Sequence, residues 1–223
     1  VNTVIKKVSG LLNPNAIIID SSTIGVLEAQ ELNNYCQKRN LNFLDAPVSG
    51  GTIGAKKATL TFMVGGNESI LEKVEKVLLT MGSKVVYCGK SGMGQAAKMC
   101  NNMILAATMA GACEAIYLSE KMKLDTEKLF EVVSTSTASS WAINSYFPVA
   151  GIGPESPADN DFIPGFSSDL MLKDLSIARD TKKHFKIETP ITDKTVDLYS
   201  LMKQKNMGNL DFSAVINLLK KTN

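Results

Sequence analysis

The sequence predicts an α/β domain on a mainly parallel sheet over residues 1–91, followed by an all-helical domain over residues 92–223. Two observations predict it. In the first part, short β-branched runs alternate with stretches of helical spacing, the pattern of a sheet layered with helices. Beyond residue 92 the strand-like runs stop, and every apolar repeat has the period of a helix.

Ala16-Ile17-Ile18-Ile19-Asp20 is apolar on both faces, as a buried parallel strand must be. Ser21-Ser22-Thr23 then supplies hydroxyls suited to capping a helix whose inner face carries Val26, Ala29 and Leu32. Asn42 to Asp45 and Leu60 to Val64 are the next strands, the second stopped by Gly65-Gly66. Ile70 to Leu79 is helical in spacing, and Lys84 to Tyr87 is a further strand. Gly94 to Met122 reads as one long helix on which Ala97, Ala107, Ala110, Gly111 and Ala112 would let a second helix approach closely. Its Asn101, Asn102 and Glu114 are costly at a bilayer centre, so it is expected to be a buried helix of a soluble protein, not a membrane span. Helices are also expected over 128–133, 170–184, 190–203 and 212–220, with an ordered, proline-rich surface connection over 147–164.

Composition narrows the function classes. A net charge of +2, with basic residues spread along the chain, offers no nucleic-acid-binding face. The run Lys182, Lys183 and Lys186 reads as a solvated helix face. Cys36, Cys88, Cys100 and Cys113 lack C-x-x-C spacing and are expected as free thiols, Cys100 as a small buried apolar residue. His184 is the single histidine, which argues against a His-based triad and a His-ligated zinc site; no metal is expected. Proton chemistry then falls to a lysine or a carboxylate.

Four places have the residue types for it. Asp45-Ala46-Pro47-Val48-Ser49-Gly50-Gly51 directly follows a strand, where open α/β sheets bind ligands. Ser49 and the backbone amides of Gly50 and Gly51 suit a carboxylate or phosphate, and a tight turn needing glycine would look the same. Lys98 and Asn102, four apart, project from one side of the long helix. They read either as a solvent-facing first turn or as a proton-handling lysine beside an amide that holds substrate. Thr23 alone is a helix cap, at a place where a cofactor's ribose or nicotinamide would pass. Lys173-Asp174 alone is a surface pair.

Taken in order, these segments resemble the 3-hydroxyisobutyrate dehydrogenase family of β-hydroxyacid dehydrogenases. The matching text is Asp20 to Ile24, Asp45 to Gly51, Leu60 to Gly66, Gly94 to Lys98 with Asn101-Asn102, Gly165-Phe166, and Leu170 to Leu175. It covers nearly the whole chain. The resemblance implies the C-terminal part of a Rossmann-type NAD-binding domain followed by the family's helical domain. It implies Lys98 as the catalytic lysine and Asn102 as the substrate amide. Ser49, Gly50 and Gly51 would hold the substrate carboxylate, and Trp141 would lie near the substrate pocket. Thr23 and Lys173 would contact the cofactor, NAD, with Asp174 supporting Lys173. Ser136-Thr137-Ala138-Ser139 departs from the family's common Ser-Ser-Gly-Arg pattern beside that pocket.

The implied reaction is oxidation of 3-hydroxyisobutyrate to methylmalonate semialdehyde, a step of valine catabolism, with Lys98 taking the hydroxyl proton. A free lysine, with a pKa of about 10.4, is a poor base at neutral pH. Burial and the charge of Lys173 would lower it. Tartronate semialdehyde reductase has nearly the same motifs. 6-Phosphogluconate dehydrogenase also spaces a lysine and an asparagine by four, but follows its lysine with His-Asn-Gly where Asn101-Asn102-Met103 stands here. The expected partners are a small β-hydroxyacid and further copies of the chain, through the helical domain, with no nucleic acid and no membrane. The family implies the mitochondrial matrix in a eukaryote and the cytoplasm otherwise. The family also opens with a G-x-G-x-x-G turn that binds the cofactor pyrophosphate, and none occurs here in the required strand-turn-helix context. A fragment is therefore expected, and a non-catalytic dimerisation remnant is the alternative.

Overall fold

The β-branched run of the N-terminal part forms β1 (Ile17–Asp20), which pairs in parallel with β2 (Asn42–Asp45). The computed structural model describes residues 1–221 and divides into two units, one ending at Asn101 and the other starting at Asn102. In the first unit, α1 (Asn2–Val8) precedes β1, and α2 (Val26–Gln37) joins β1 to β2. β3 (Val48–Ser49), α3 (Gly51–Lys56), β4 (Leu60–Gly65), α4 (Glu68–Leu78) and β5 (Gly82–Gly89) follow. β4 runs parallel to β5 and antiparallel to β2 and β3, so the five-stranded sheet is parallel in two pairings and reversed where the chain turns after Asp45.

Alternation along β2 divides the core of this unit. Phe43 packs in a cluster with Ala29, Leu32 and Cys36 of α2, whereas Leu44 packs with Phe62, Val64 and with Ile70, Leu71 and Leu78 of α4. Helices therefore cover both faces of the sheet. The buried positions of α2 are Val26, Ala29 and Leu32, as read from the sequence, and Cys36 one turn further on. Its N-cap is Gly25, without a side-chain cap bond, so Ser21-Ser22-Thr23 is a loop and not the expected cap.

In the second unit α5 (Met93–Lys121), which begins in the first unit, is followed by α6 (Thr126–Thr135), α7 (Trp141–Asn144), α8 (Ser168–Phe185), α9 (Pro190–Gln204) and α10 (Val215–Lys221). Ala106, Met109, Cys113 and Ile116 of α5 form a stripe in its core with Met171 and Leu175 of α8 and Val196, Tyr199 and Met202 of α9. The i, i+3, i+7 spacing makes that stripe narrow. Ile104 and Leu118 on α5 stand 65% and 59% exposed, so the helix expected to be buried is buried along one side only. By length and composition it is apolar enough to cross a membrane. The connection 147–164 is ordered: Ser156 and Asp159 form a capping box around a single 3-10 turn, and Phe147, Ser156 and Ala158 are buried. All four cysteines are free. Cys100 is exposed, contrary to expectation, because a position two residues from Lys98 and Asn102 turns to the other side of the helix.

Candidate functional site

In the first unit the expected residues Thr23 and Ser49 to Gly51 follow the carboxyl ends of β1 and β2 along the chain, and open α/β sheets bind ligands beyond such strand ends. Asp20 and Asp45 end the two strands in register, so their side chains lie on the same face. Asp45 is fully buried. Its Oδ1 accepts the Gly92 amide at 2.7 Å and its Oδ2 accepts the Gln95 amide at 3.1 Å, placing the carboxylate beneath the start of α5. Burial pushes this carboxyl above the usual carboxylate range, against the pull of the Gly92 and Gln95 amides. Gly94 is required there: a Cβ would lie 2.8 Å from the Asp45 carbonyl oxygen and collide with that of Met63.

Lys98 follows one turn later and is buried. Thr23, half-buried, lies in the loop after β1. Ser49 ends β3, and Gly50, at φ 126°, caps α3, where Gly51 is the first residue. Gly50 and Gly51 are exposed, and both have positive φ. Asp20 accepts the Ser22 amide on Oδ1 at 3.0 Å, and its buried Oδ2 has no hydrogen-bond partner among the described residues.

In the second unit the carboxylate of one expected residue joins two others. Asp174 on α8 is 4% exposed. Its Oδ2 accepts Asn102 Nδ2 at 2.7 Å, and its Oδ1 faces Lys173 Nζ at 3.0 Å. Asn102 is buried, whereas the Lys173 side chain is half-exposed. Trp141 opens α7 and is half-exposed, its ring stacked on Tyr146 with centroids 4.6 Å apart. Tyr146 donates its hydroxyl to buried Asp211 at 2.9 Å, and burial with that carboxylate pushes its phenol well above the usual value. Asp211 also accepts the amides of Gly165 and Phe166, at 3.0 and 3.1 Å, which fixes the loop leading into α8.

Residues 92–219 match a family described as NAD-binding of NADP-dependent 3-hydroxyisobutyrate dehydrogenase, and residues 1–89 match one described as the NAD binding domain of 6-phosphogluconate dehydrogenase. A probable 3-hydroxyisobutyrate dehydrogenase of Mycobacterium tuberculosis is 45% identical over 93% of this chain and 70% of its own length. The chain belongs to the 3-hydroxyisobutyrate dehydrogenase family. Mitochondrial 3-hydroxyisobutyrate dehydrogenases of Drosophila melanogaster and Homo sapiens are 43% and 39% identical, and the chain spans 65% and 64% of their lengths. A solved structure of the Mycobacterium tuberculosis 3-hydroxyisobutyrate dehydrogenase with L-serine superposes with a TM-score of 0.93 at 43% identity, over 98% of this chain and 75% of that one.

Within this 3-hydroxyisobutyrate dehydrogenase fold, sequence reasoning singled out neither Gln95 nor the Asn102–Asp174 bond. The partners of Gln95 are Ser22 and Ile24, 73 and 71 residues away, and no spacing signals such a contact. The one available clue was a polar side chain in an otherwise small, apolar first turn of a helix.

Proposed function

We propose that the protein oxidises 3-hydroxyisobutyrate to methylmalonate semialdehyde with NAD. Membership of the family, at 45% identity to a relative of that name, carries this reading. The L-serine named with the solved relative fits it, because L-serine is 3-hydroxyisobutyrate with an amino group in place of the methyl. Both carry a carboxylate and a hydroxymethyl group on the same carbon.

The residues present suit a nicotinamide nucleotide. The Thr23 loop supplies hydroxyls at a strand's carboxyl end, and Asp174 holds the half-exposed ammonium of Lys173. Bound NAD supplies a hydride acceptor. Lys98 takes the hydroxyl proton as the alcohol carbon becomes an aldehyde, and Asn102, held by Asp174, orients the substrate oxygen. Ser49 and the amides of Gly50 and Gly51 receive the carboxylate, Trp141 borders the substrate, and Thr23 and Lys173 contact the cofactor. In this reading residues 1–91 are the cofactor-binding part and residues 92–223 the helical dehydrogenase domain.

The exposed face of α5, with Ile104, Gly111 and Leu118 at seven-residue intervals, supports a homo-oligomer and accounts for the apolar helix without a membrane. Mitochondrial relatives in fly, slime mould, cattle and human support the matrix as the location in a eukaryote.

The test is NADH formation by the full-length protein with 3-hydroxyisobutyrate, glycerate and 6-phosphogluconate. Selective turnover of 3-hydroxyisobutyrate is expected, and preference for glycerate would transfer the protein to the tartronate semialdehyde reductases. Lys98→Ala is expected to lower kcat by about 10²–10⁴-fold, the usual contribution of a general base, with NADH binding retained. Near-normal turnover would remove Lys98 from the mechanism.

A further inference from the structure

Gln95 has a buried side-chain amide with both of its ends occupied. The residue is 1% exposed, in the first turn of α5 and one turn before Lys98. Its Nε2 donates to the Ser22 carbonyl at 2.8 Å, and its Oε1 accepts the Ile24 amide at 3.1 Å. These two bonds flank Thr23. A third point is fixed by Asp20, whose Oδ1 accepts the Ser22 amide at 3.0 Å. Ile24 is itself buried, so the backbone around Thr23 is held on both sides. The backbone of Gln95 is fixed in turn, because its amide donates to Asp45 Oδ2 at 3.1 Å.

We infer that Gln95 is a positioning residue for the nicotinamide half of the cofactor, acting through Thr23. The inference rests on the proposed dehydrogenase activity and on the cofactor role of Thr23 within it. A primary amide suits the task because it is both donor and acceptor, and the Thr23 loop presents a carbonyl on one side and an amide on the other. Neither glutamate nor an apolar side chain reproduces that pair. Glutamate sets an oxygen against the Ser22 carbonyl, and methionine of similar length leaves both loop groups without their partner. A loop fixed at Ser22 and Ile24 presents the Thr23 hydroxyl in one place, so its contribution to binding requires no further ordering.

The experiment measures dissociation constants for NADH and for ADP-ribose, which lacks the nicotinamide ring, with full-length wild type and Gln95→Met. Wild type must first bind NADH and oxidise 3-hydroxyisobutyrate, and failure there sinks the proposed activity rather than this inference. Given that activity, Gln95→Met is expected to weaken NADH about tenfold and to leave ADP-ribose within twofold. Equal weakening of both ligands, or of neither, overturns the inference. In a Thr23→Val background the same substitution is expected to add less than twofold, and additive losses overturn the route through Thr23. If Gln95→Met does not fold, Gln95→Glu, which keeps the acceptor for Ile24, is read by the same criteria. Loss of the fold in both variants overturns the inference in favour of a purely structural role.

Discussion

At the scale of single residues, the buried carboxylate of Asp174 is the most consequential group of the second unit. One oxygen accepts the Asn102 amide and the other faces the Lys173 ammonium, so its removal disturbs two proposed site residues at once. A hydrogen bond to a charged group contributes about 1.5–3 kcal/mol, and a buried donor that loses its acceptor costs about 1–3 kcal/mol. Asn102→Ala and Asp174→Ala are therefore expected to be non-additive in urea unfolding, with a coupling energy of about 1–3 kcal/mol. Additivity within about 0.5 kcal/mol would mean that the bond carries no net energy. Lys173 and Asp174 are adjacent in sequence and read readily as a pair. The bond to Asn102, 72 residues earlier, depends on how α5 and α8 pack, and no local pattern records it.

At the scale of elements, the two glycines of α5 are opposite cases. A Cβ at Gly94 collides with the Met63 carbonyl oxygen and stands 2.8 Å from that of Asp45, both backbone atoms of the sheet beneath. A Cβ at Gly111 meets nothing within 4 Å. Gly94→Ala is expected to destabilise by more than about 2 kcal/mol, since the helix start must lift from β2 and β4. In the isolated monomer, Gly111→Ala is expected to stabilise by about 0.5–1 kcal/mol through helix propensity. Thermal midpoints of the two variants check both. Should Gly111→Ala lower the midpoint of an oligomer while raising that of a monomeric form, the exposed face of α5 is the subunit contact.

The elements that were legible in the sequence are those with an apolar period or an unbroken apolar run. α2, α4 and α5 repeat their apolar spacing, and β1, β2 and β4 carry short apolar runs. β3 has two residues, and α3 has six, including two glycines, too few in either case for a period to emerge. The site followed the same division. Residues inside contiguous motifs were readable, and a contact such as that between Gln95 and the Thr23 loop emerges only when the sheet and α5 are assembled.

At the scale of the whole molecule, the chain carries several acids that the fold keeps protonated. Burial pushes the Cys113 thiol far above its usual value, and the phenols of Tyr146 and Tyr199 are raised by burial as well. Cys36, buried in the first unit, is pushed the same way. An unfolded chain releases these protons near their ordinary values, about 8.5 for a thiol and about 10 for a phenol. Between those values and the raised ones the folded protein binds more protons than the unfolded chain. Stability is therefore present in full below the ordinary values and falls as pH rises, by about 1.4 kcal/mol per pH unit for each such group. Urea unfolding from pH 7.5 to 10 is expected to show that decline beginning near pH 8.5, with Cys113 contributing one group's share. Cys113→Ala will be less stable throughout, because a buried sulfur is lost from the core. Its slope against pH between 8.5 and 10 should nonetheless be shallower than that of wild type. Parallel slopes in that interval would show that Cys113 ionises in the folded protein much as it does in the unfolded chain, against its complete burial between α5 and the C-terminal segment.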